Sequence, residues 1–166
     1  MTEGAAGPQA KVRPFASGDI DWIVQRHGAL YAEDQGFDAS FEALVAEILA
    51  DFMARDRRPV ENGWIMEADG ARLGCVFVVA EDDETARLRL MLVEPGARGQ
   101  GVGQSLLETA IDHARSQGFT HMVLWTQEAL HAAVRLYARN GFRLVESATG
   151  VHFGREIVNQ TWQRAL

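Results

Sequence analysis

The feature that most constrains this chain is a glycine-rich segment, Arg98-Gly-Gln-Gly-Val-Gly103, between a predicted strand and a predicted helix. The strand ends at Val93, and the helix carries apolar residues at helical spacing up to Gln117. Glycines at alternate positions let the backbone turn tightly and approach a ligand without Cβ atoms in the way. The free N–H groups of the first helical turn then point at one spot, where the helix dipole adds positive potential. The segment therefore predicts a pyrophosphate cradle, and Arg98 can add charge-assisted hydrogen bonds.

Two common phosphate-binding motifs do not describe this segment. The dinucleotide fingerprint G-x-G-x-x-G requires glycine three residues after Gly103, and the chain has Leu106 there. A P-loop requires Gly-Lys followed by Ser or Thr, which is absent from the sequence. The cradle must serve a different pyrophosphate ligand.

Hydrophobic periodicity predicts seven strands and four helices around this segment. The strands are predicted at 12–15, 64–68, 73–80, 87–93, 121–126, 142–146 and 159–162. The helices are predicted at 19–31, from Asp38 or Ser40 to about 52, from the cradle to 117, and at 130–140. Asp69-Gly70 is a hairpin turn signal, and 32–37 reads as a polar loop. The order indicates an α/β (α+β) fold with a mixed, mostly antiparallel sheet. Residues 11–166 are predicted to form a single domain after a flexible tail at 1–10.

Composition excludes several classes of protein. Asp and Glu outnumber Lys and Arg by 23 to 16, for a net charge of -7, which argues against nucleic acid as a partner. Cys75 is the single cysteine, so no intrachain disulfide forms, and its apolar surroundings predict a buried, inert thiol. No apolar stretch approaches the ~20 residues that span a bilayer, so we expect a cytoplasmic protein without a membrane partner. His113 and His121 lack partners at ligand spacing, and we predict no metal site.

Two motifs together resemble the GNAT acyltransferase superfamily. Arg98-Gly-Gln-Gly-Val-Gly103, after the strand ending Val93-Glu-Pro95, is similar to its acetyl-CoA loop, and Leu136-Tyr137-Ala-Arg-Asn-Gly141-Phe142 is similar to its second signature. The predicted element order also resembles that fold over nearly all of the chain after Ala10. A closer resemblance is to the acetyltransferase half of bacterial proteins that fuse a MarR-type regulator to a GNAT domain. It rests on Arg26-His-Gly-Ala-Leu-Tyr31, Leu124-Trp-Thr126, His152-Phe-Gly154 and Gln160-Thr-Trp162.

The resemblance implies an N-acetyltransferase that binds acetyl-CoA and passes its acetyl group to a primary amine by direct attack on the thioester. Pantetheine would lie along the strand before the loop, and the pyrophosphate in the cradle. The implied cofactor-binding residues are Met91, Leu92, Val93, Arg98, Gly99, Gln100, Gly101, Val102, Gly103 and Gln104. Tyr137 stands where the family commonly has the general acid that protonates the leaving thiolate. No enzyme nucleophile is needed, which agrees with a buried Cys75.

The chain departs from the family pattern at the general base. Many members carry a glutamate early on the strand before the loop, whereas this chain reads Ala86-Arg87-Leu88-Arg89. Glu33 and Glu84 are the candidate bases, with Glu67, His152 or a water chain as further options. An asparagine common in the family seven residues before the tyrosine is Leu130 here. The missing carboxylate keeps a second function open, a non-catalytic acyl-CoA-binding sensor or interaction module.

The acceptor is a small-molecule or peptidyl amine that the sequence does not identify. Alternation along a strand predicts that Arg87 and Arg89 share a face with Met91 and Val93. Two interpretations follow: Arg89 binds a carboxylate of the acceptor, or the arginine pair is balanced by acidic neighbours in its hairpin. Aromatic residues predicted to line an acceptor pocket are Tyr31 and Trp64, with Trp22 as a third. The resemblance also allows a homodimer through the final strands.

Overall fold

The computed structural model describes residues 10–166, so the tail predicted at 1–10 lies outside this range except for Ala10. Within the range, the strands are β1 (Lys11–Pro14), β2 (Asn62–Ala68), β3 (Ala71–Ala80), β4 (Thr85–Val93), β5 (His121–Gln127), β6 (Arg143–His152) and β7 (Arg155–Ala165). The α-helices are α1 (Ile20–Gln35), α2 (Ala39–Arg55), α3 (Val102–Ser116) and α4 (His131–Arg139). Short 3-10 turns occupy Ser17–Asp19 and Pro95–Ala97.

The strands form one sheet in the order β1-β2-β3-β4-β5-β7-β6. Neighbouring strands are antiparallel except for β4 and β5, which are parallel. A parallel pair needs a crossover, and α3 supplies it between β4 and β5. The predicted mixed, mostly antiparallel sheet is therefore confirmed.

The helices cover both faces of the sheet. On one face, α3 buries the apolar stripe that its sequence predicted, together with Tyr137 and Phe142 at the end of α4. On the other face, α1 and α2 enclose a core rich in phenylalanine, in which Phe15 and Phe77 meet edge to face at 5.1 Å. Burying each of these large side chains stabilises the fold by roughly 1.5–3 kcal/mol. The sheet between the two cores is consequently a rigid support for the loops at its edge.

Two local signals in the sequence are confirmed. Asp69 and Gly70 have φ of 50° and 77°, as a two-residue hairpin turn requires. The Asp38 carboxylate accepts a hydrogen bond of 3.0 Å from the Ser40 N–H and so caps α2.

The predicted bounds of three elements are wrong. The segment 32–37 was expected to be a loop, but α1 continues to Gln35 and ends at Gly36, whose φ is 68°. The last two strands are much longer than 142–146 and 159–162, because β6 and β7 form one continuous hairpin. β6 is an exposed edge strand, and main-chain hydrogen bonds to β7 rather than a buried apolar face define it. Hydrophobic periodicity does not predict a strand of this kind.

Candidate active site

The site begins where β4 and β5 separate. Their parallel pairing runs from Thr85–His121 to Leu88–Leu124 and then stops. Past that point a cavity of about 940 Å³ opens between the strands. Its walls come from α1, α2, the ends of β4 and β5, the glycine-rich loop, α4 and the turn between β6 and β7. This position at the carboxyl ends of parallel strands is where open sheets commonly bind ligands.

A β-bulge in β4 sets which side chains face which part of the cavity. Cys75 pairs with Leu92 but Phe77 pairs with Arg89, so β4 carries one extra residue. Leu90 lies in the bulge with a φ of 52°, which is unusual for a branched residue. Such strained backbone is often found at functional sites.

The bulge overturns the predicted alternation. Before it, Ala86 and Leu88 belong to the core under α3, and after it Met91 and Val93 pack against that same core. Arg87 and Arg89 therefore point to the opposite face, toward α1 and α2, where Leu92 also lies. The prediction that the arginines share a face with Met91 and Val93 is wrong. The extra residue in the bulge places Met91 and Val93 on the opposite face of β4.

The glycine-rich loop forms one end of the cavity. Gly99 and Gly101 have φ of 76° and 80°, a conformation that favours glycine. The first hydrogen bond of α3 runs from the Ser105 N–H to the Gly101 carbonyl at 3.0 Å. The backbone N–H groups from Gly99 to Gln104 have no hydrogen-bond acceptor among residues 10–166. They form a backbone cradle at the helix N-terminus that can bind an anionic pyrophosphate.

Side chains brace this cradle on both sides. The Gln104 amide exchanges two hydrogen bonds with Asn140, at 2.8 and 2.9 Å, and so joins α3 to the end of α4. The Arg98 guanidinium lies 3.4 Å from the Asp34 carboxylate of α1. At the end of β4, Glu94 receives a two-pronged hydrogen bond from Arg26. We call the end of β4, the loop and the first turn of α3 the donor side of the cavity.

Tyr137 lies on the cavity wall with 5% of its surface exposed. Its ring packs edge to face against Phe142 at 5.8 Å, which fixes its orientation. Burial raises the pKa of its phenol above the usual value, and Tyr31 adds to the effect. The hydroxyl therefore stays protonated at neutral pH and is available as a proton donor.

The opposite wall, which we call the acceptor side, is made by α1, α2, Arg89, Trp125 and the β6–β7 turn. Phe153 and Gly154 form that turn with φ of 55° and 78°. The Phe153 ring lies 4.9 Å from Phe37 and 5.0 Å from Phe41, and its carbonyl accepts a hydrogen bond from the Asp38 N–H. The turn is thus held against the junction of α1 and α2.

The four candidate bases lie in different parts of the structure. Glu33 is exposed on α1, Glu84 is exposed in the β3–β4 turn, and neither lines the cavity. Glu67 lies on β2, where it accepts a 2.8 Å hydrogen bond from Arg13. His152 alone among them lines the cavity, next to Phe153.

Some of the residues predicted to contact the acceptor line the cavity, and others do not. Tyr31 and Arg89 line the cavity. Burial raises the pKa of Tyr31 to about 12, so its hydroxyl is also neutral at pH 7. Trp64 lies in the core beneath α3, with its ring 4.8 Å from His113, and does not line the cavity. Its expected role in an acceptor pocket needs this correction, because its strand position faces α3. Trp22 packs at the margin of the core on the other face.

Sequence reasoning assigned no acceptor role to two residues of the acceptor side. His27 is buried, its Nδ1 lies 2.7 Å from the Ile23 carbonyl, and it lines the cavity. Its Nε2 has no partner among the described residues, so Nδ1 carries the proton and Nε2 is a bare acceptor. Burial lowers the pKa of His27 to about 4. Trp125 lines the cavity with 41% of its surface exposed, and its place on β5 gave no signal of this.

Two further searches concern only residues 10–166. No three His, Cys, Asp or Glu side chains there are grouped so as to hold a metal ion. No helix in the same range is long and apolar enough to cross a membrane.

Comparison with known proteins assigns the family. The sequence model of the acetyltransferase (GNAT) family matches residues 26–142, which is more than half of the chain. An uncharacterized N-acetyltransferase from Schizosaccharomyces pombe is 32% identical over 131 residues, covering 77% of each protein. Mycothiol acetyltransferase from Beutenbergia cavernae is 31% identical over 81 residues, which are 48% of this chain and 27% of that protein. The first curated relatives are longer, and the matches cover 27–38% of their length.

Solved structures agree on the fold. A putative acetyltransferase from Salmonella typhimurium, determined with its cofactor acetyl-CoA, superimposes with a TM-score of 0.77 at 22% identity, covering 94% of this chain and 93% of that one. The chain therefore belongs to the GNAT family of acetyltransferases. Its fold is shared with that acetyl-CoA-bound acetyltransferase structure.

Proposed function

We propose that this chain transfers the acetyl group of acetyl-CoA to a primary amine by direct attack of the amine on the thioester. The observation that carries the proposal is the cradle of unpartnered N–H groups from Gly99 to Gln104. It lies at one end of a cavity of about 940 Å³, whose opposite wall would contact the second substrate. The donor and the amine can therefore be bound at the same time, as a ternary complex requires.

The donor side fits the parts of acetyl-CoA. The N–H groups of residues 99–104 would hold the pyrophosphate, with the Arg98 side chain close by. The Arg98 N–H itself donates to the Pro95 carbonyl. The main chain of Met91, Leu92 and Val93 is not paired with β5, because the pairing of those strands ends at Leu88. It is available to hydrogen-bond pantetheine as an added strand would. When bound, the donor supplies an activated acyl group on sulfur.

Tyr137 is the residue that we assign to the leaving group. The amine nitrogen bonds to the thioester carbon, the carbon–sulfur bond breaks, and the sulfur leaves as a thiolate. The Tyr137 hydroxyl gives its proton to that sulfur. Proton donation of this kind contributes a rate factor of roughly 10²–10⁴.

The protein needs no nucleophile of its own. Cys75 is fully buried, its thiol donates a 3.1 Å hydrogen bond to the Leu90 carbonyl, and burial raises its pKa. A thiol in that state does not attack an acyl group. The amine must still lose a proton, and among the four predicted bases we assign this step to His152, because it lines the cavity.

The first test is binding of acetyl-CoA, measured by calorimetry on the parent and on Gly101→Val. A valine at a φ of 80° strains the backbone and fills the cradle, and we expect binding about 100-fold weaker, which is about 2.7 kcal/mol. Gly118→Val is the matched control, because Gly118 has a φ of 88° and lies at the far end of α3. It should lose stability but keep the affinity.

Turnover is then followed by release of the CoA thiol against a panel of amines. Because Cys75 is buried, a thiol reagent added to the folded protein reports CoA rather than the enzyme. Binding of acetyl-CoA without thiol release for any amine would favour the alternative of a non-catalytic sensor. Equal binding by the parent and Gly101→Val would refute the assignment of the cradle.

A further inference from the structure

The acceptor side carries an arginine, Arg89, that no carboxylate of residues 10–166 neutralises. The other two arginines nearby are paired, since Arg87 lies 2.5 Å from Glu81 and Arg98 lies 3.4 Å from Asp34. Arg89 also lines the cavity, yet it has no carboxylate within 4 Å and no hydrogen-bond acceptor among residues 10–166. Arg139, which lines the cavity from α4, belongs to the other face of the sheet.

The surroundings of Arg89 concentrate positive charge. Arg89 is exposed to solvent on the cavity wall, but its partial desolvation, followed by repulsion from Arg87, lowers the pKa of the guanidinium, and Arg55 contributes in the same direction. Glu81 and Asp51 oppose the effect without forming an ion pair with Arg89. In a chain of net charge -7, this is a local positive site that an anion would stabilise. A planar guanidinium suits a carboxylate in particular, because it can bind both oxygens.

Apolar side chains stand beside this charge and are open to solvent. Leu44 of α2 is 37% exposed and Trp125 of β5 is 41% exposed, and both line the cavity. Ile48 lies one helical turn after Leu44 on the same wall. Exposed apolar side chains grouped around a polar anchor are typical of a small-molecule site.

We propose that the acceptor is a free α-amino acid with an apolar side chain, whose carboxylate is bound by Arg89 and whose side chain contacts Leu44 and Trp125. This inference rests on the proposed function, and it names the substrate class of the same site. In an α-amino acid a single carbon joins the carboxylate to the amine. Arg89 directly precedes the bulge and the donor strand, so a carboxylate held there keeps the amine near the thioester. A peptidyl acceptor with an N-terminal amine has no such carboxylate.

The test compares leucine with leucinamide and isoamylamine, which keep the amine and the side chain but lose the negative charge. The enzymes are the parent, Arg89→Gln, and Arg57→Gln as a control that removes one positive charge at an exposed position away from the cavity. For the parent and Arg57→Gln we expect a higher kcat/KM with leucine than with leucinamide. In Arg89→Gln, kcat/KM for leucine should fall about 10- to 100-fold, while leucinamide changes less than about twofold. The affinity for acetyl-CoA should be the same in all three.

Several outcomes overturn the inference while leaving the proposed function intact. One is equal use of leucinamide and leucine by the parent, and another is an equal loss of both substrates in Arg89→Gln. If no acceptor in the panel is turned over, leucine binding is measured by the quenching of Trp fluorescence in the presence of CoA. Saturable binding that is lost in Arg89→Gln and kept in Arg57→Gln supports the site, and its absence in the parent refutes it. Failure of acetyl-CoA to bind at all would instead contradict the proposed function.

Discussion

The donor side and the acceptor side of the cavity are built in different ways. The donor side comes from one stretch of chain, from the end of β4 through the loop into α3, and it offers backbone N–H groups. The acceptor side is assembled from side chains of five elements: α1, α2, β4, β5 and the β6–β7 turn. The donor side thus depends on local conformation, whereas the acceptor side depends on the packing of distant elements.

Polar atoms without a hydrogen-bond partner also differ in kind between the two sides of the cavity. The cradle amides are open to the cavity and need only a ligand that reaches them. In the described part of the chain, the buried side-chain atoms without a partner are His27 Nε2, Gln127 Oε1 and Asn159 Oδ1. Of these residues, His27 and Gln127 line the cavity, and Gln127 and Asn159 are paired across β5 and β7. Unpaired buried polar groups cost free energy, so a ligand that hydrogen-bonds to those on the cavity wall would be stabilised there.

The largest expected effect concerns Tyr137, which lies between the two sides. Tyr137→Phe removes the proposed proton donor and keeps the packed ring, so kcat should fall about 1000-fold, or about 4 kcal/mol in the barrier. Calorimetry should show acetyl-CoA affinity within about twofold of the parent. Parallel losses of turnover and affinity would assign Tyr137 to the donor side as a binding residue. An unchanged kcat would remove it from the mechanism.

The next largest expected effect is a pH-dependent change in the free energy of unfolding, caused by His27 on the acceptor side. The folded-state pKa of His27 is about 4, below its usual value of 6.5, so the unfolded chain takes up a proton first as the pH falls. The stability contribution is complete above pH 6.5 and is lost as the pH falls toward 4, by about 3 kcal/mol at that pH. Asn at this position can still donate to the Ile23 carbonyl but does not titrate. Urea unfolding of the parent and His27→Asn between pH 4 and 7.5 should show this loss only in the parent. Parallel curves would mean that folding does not lower the pKa of His27.

The smallest expected effect tests the support of the donor side. A Cβ on Gly74 would lie 2.6 Å from the Leu92 carbonyl, close to Leu106 and Val102 of α3. Because the contact is with backbone, β3 and β4 must move apart, and Gly74→Ala should destabilise the fold by about 2 kcal/mol. Gly96→Ala is the control, since its Cβ would meet no atom within 4 Å. Thermal unfolding and acetyl-CoA titration of both variants are the measurements. An unaltered Gly74→Ala protein would show that the donor side is less rigid than its packing indicates.

Much of the fold could be predicted from the sequence, because the patterns that indicate it involve residues close together in the chain. The stripe of α3, the Asp69-Gly70 turn and the cap of α2 depend on residues close in sequence, and each is found in the structure. The cradle is of the same kind, because alternate glycines before an amphipathic helix determine where its N–H groups point. The hairpin of β6 and β7 was underestimated, since an exposed edge strand lacks the apolar alternation that marks a buried one.

The sequence by itself predicted the backbone cradle at the start of α3 and the family of this protein. Only the tertiary structure decided the acceptor side. One extra residue at Leu90 reverses the sides of β4 and turns Arg87 and Arg89 toward α2, and no local pattern signals that bulge. The packing of the elements also places Glu33, Glu84 and Trp64 away from the cavity. It places His27 and Trp125 on the cavity wall. The physical reason is that backbone cradles form within one segment, whereas a pocket wall forms only when separate elements pack together.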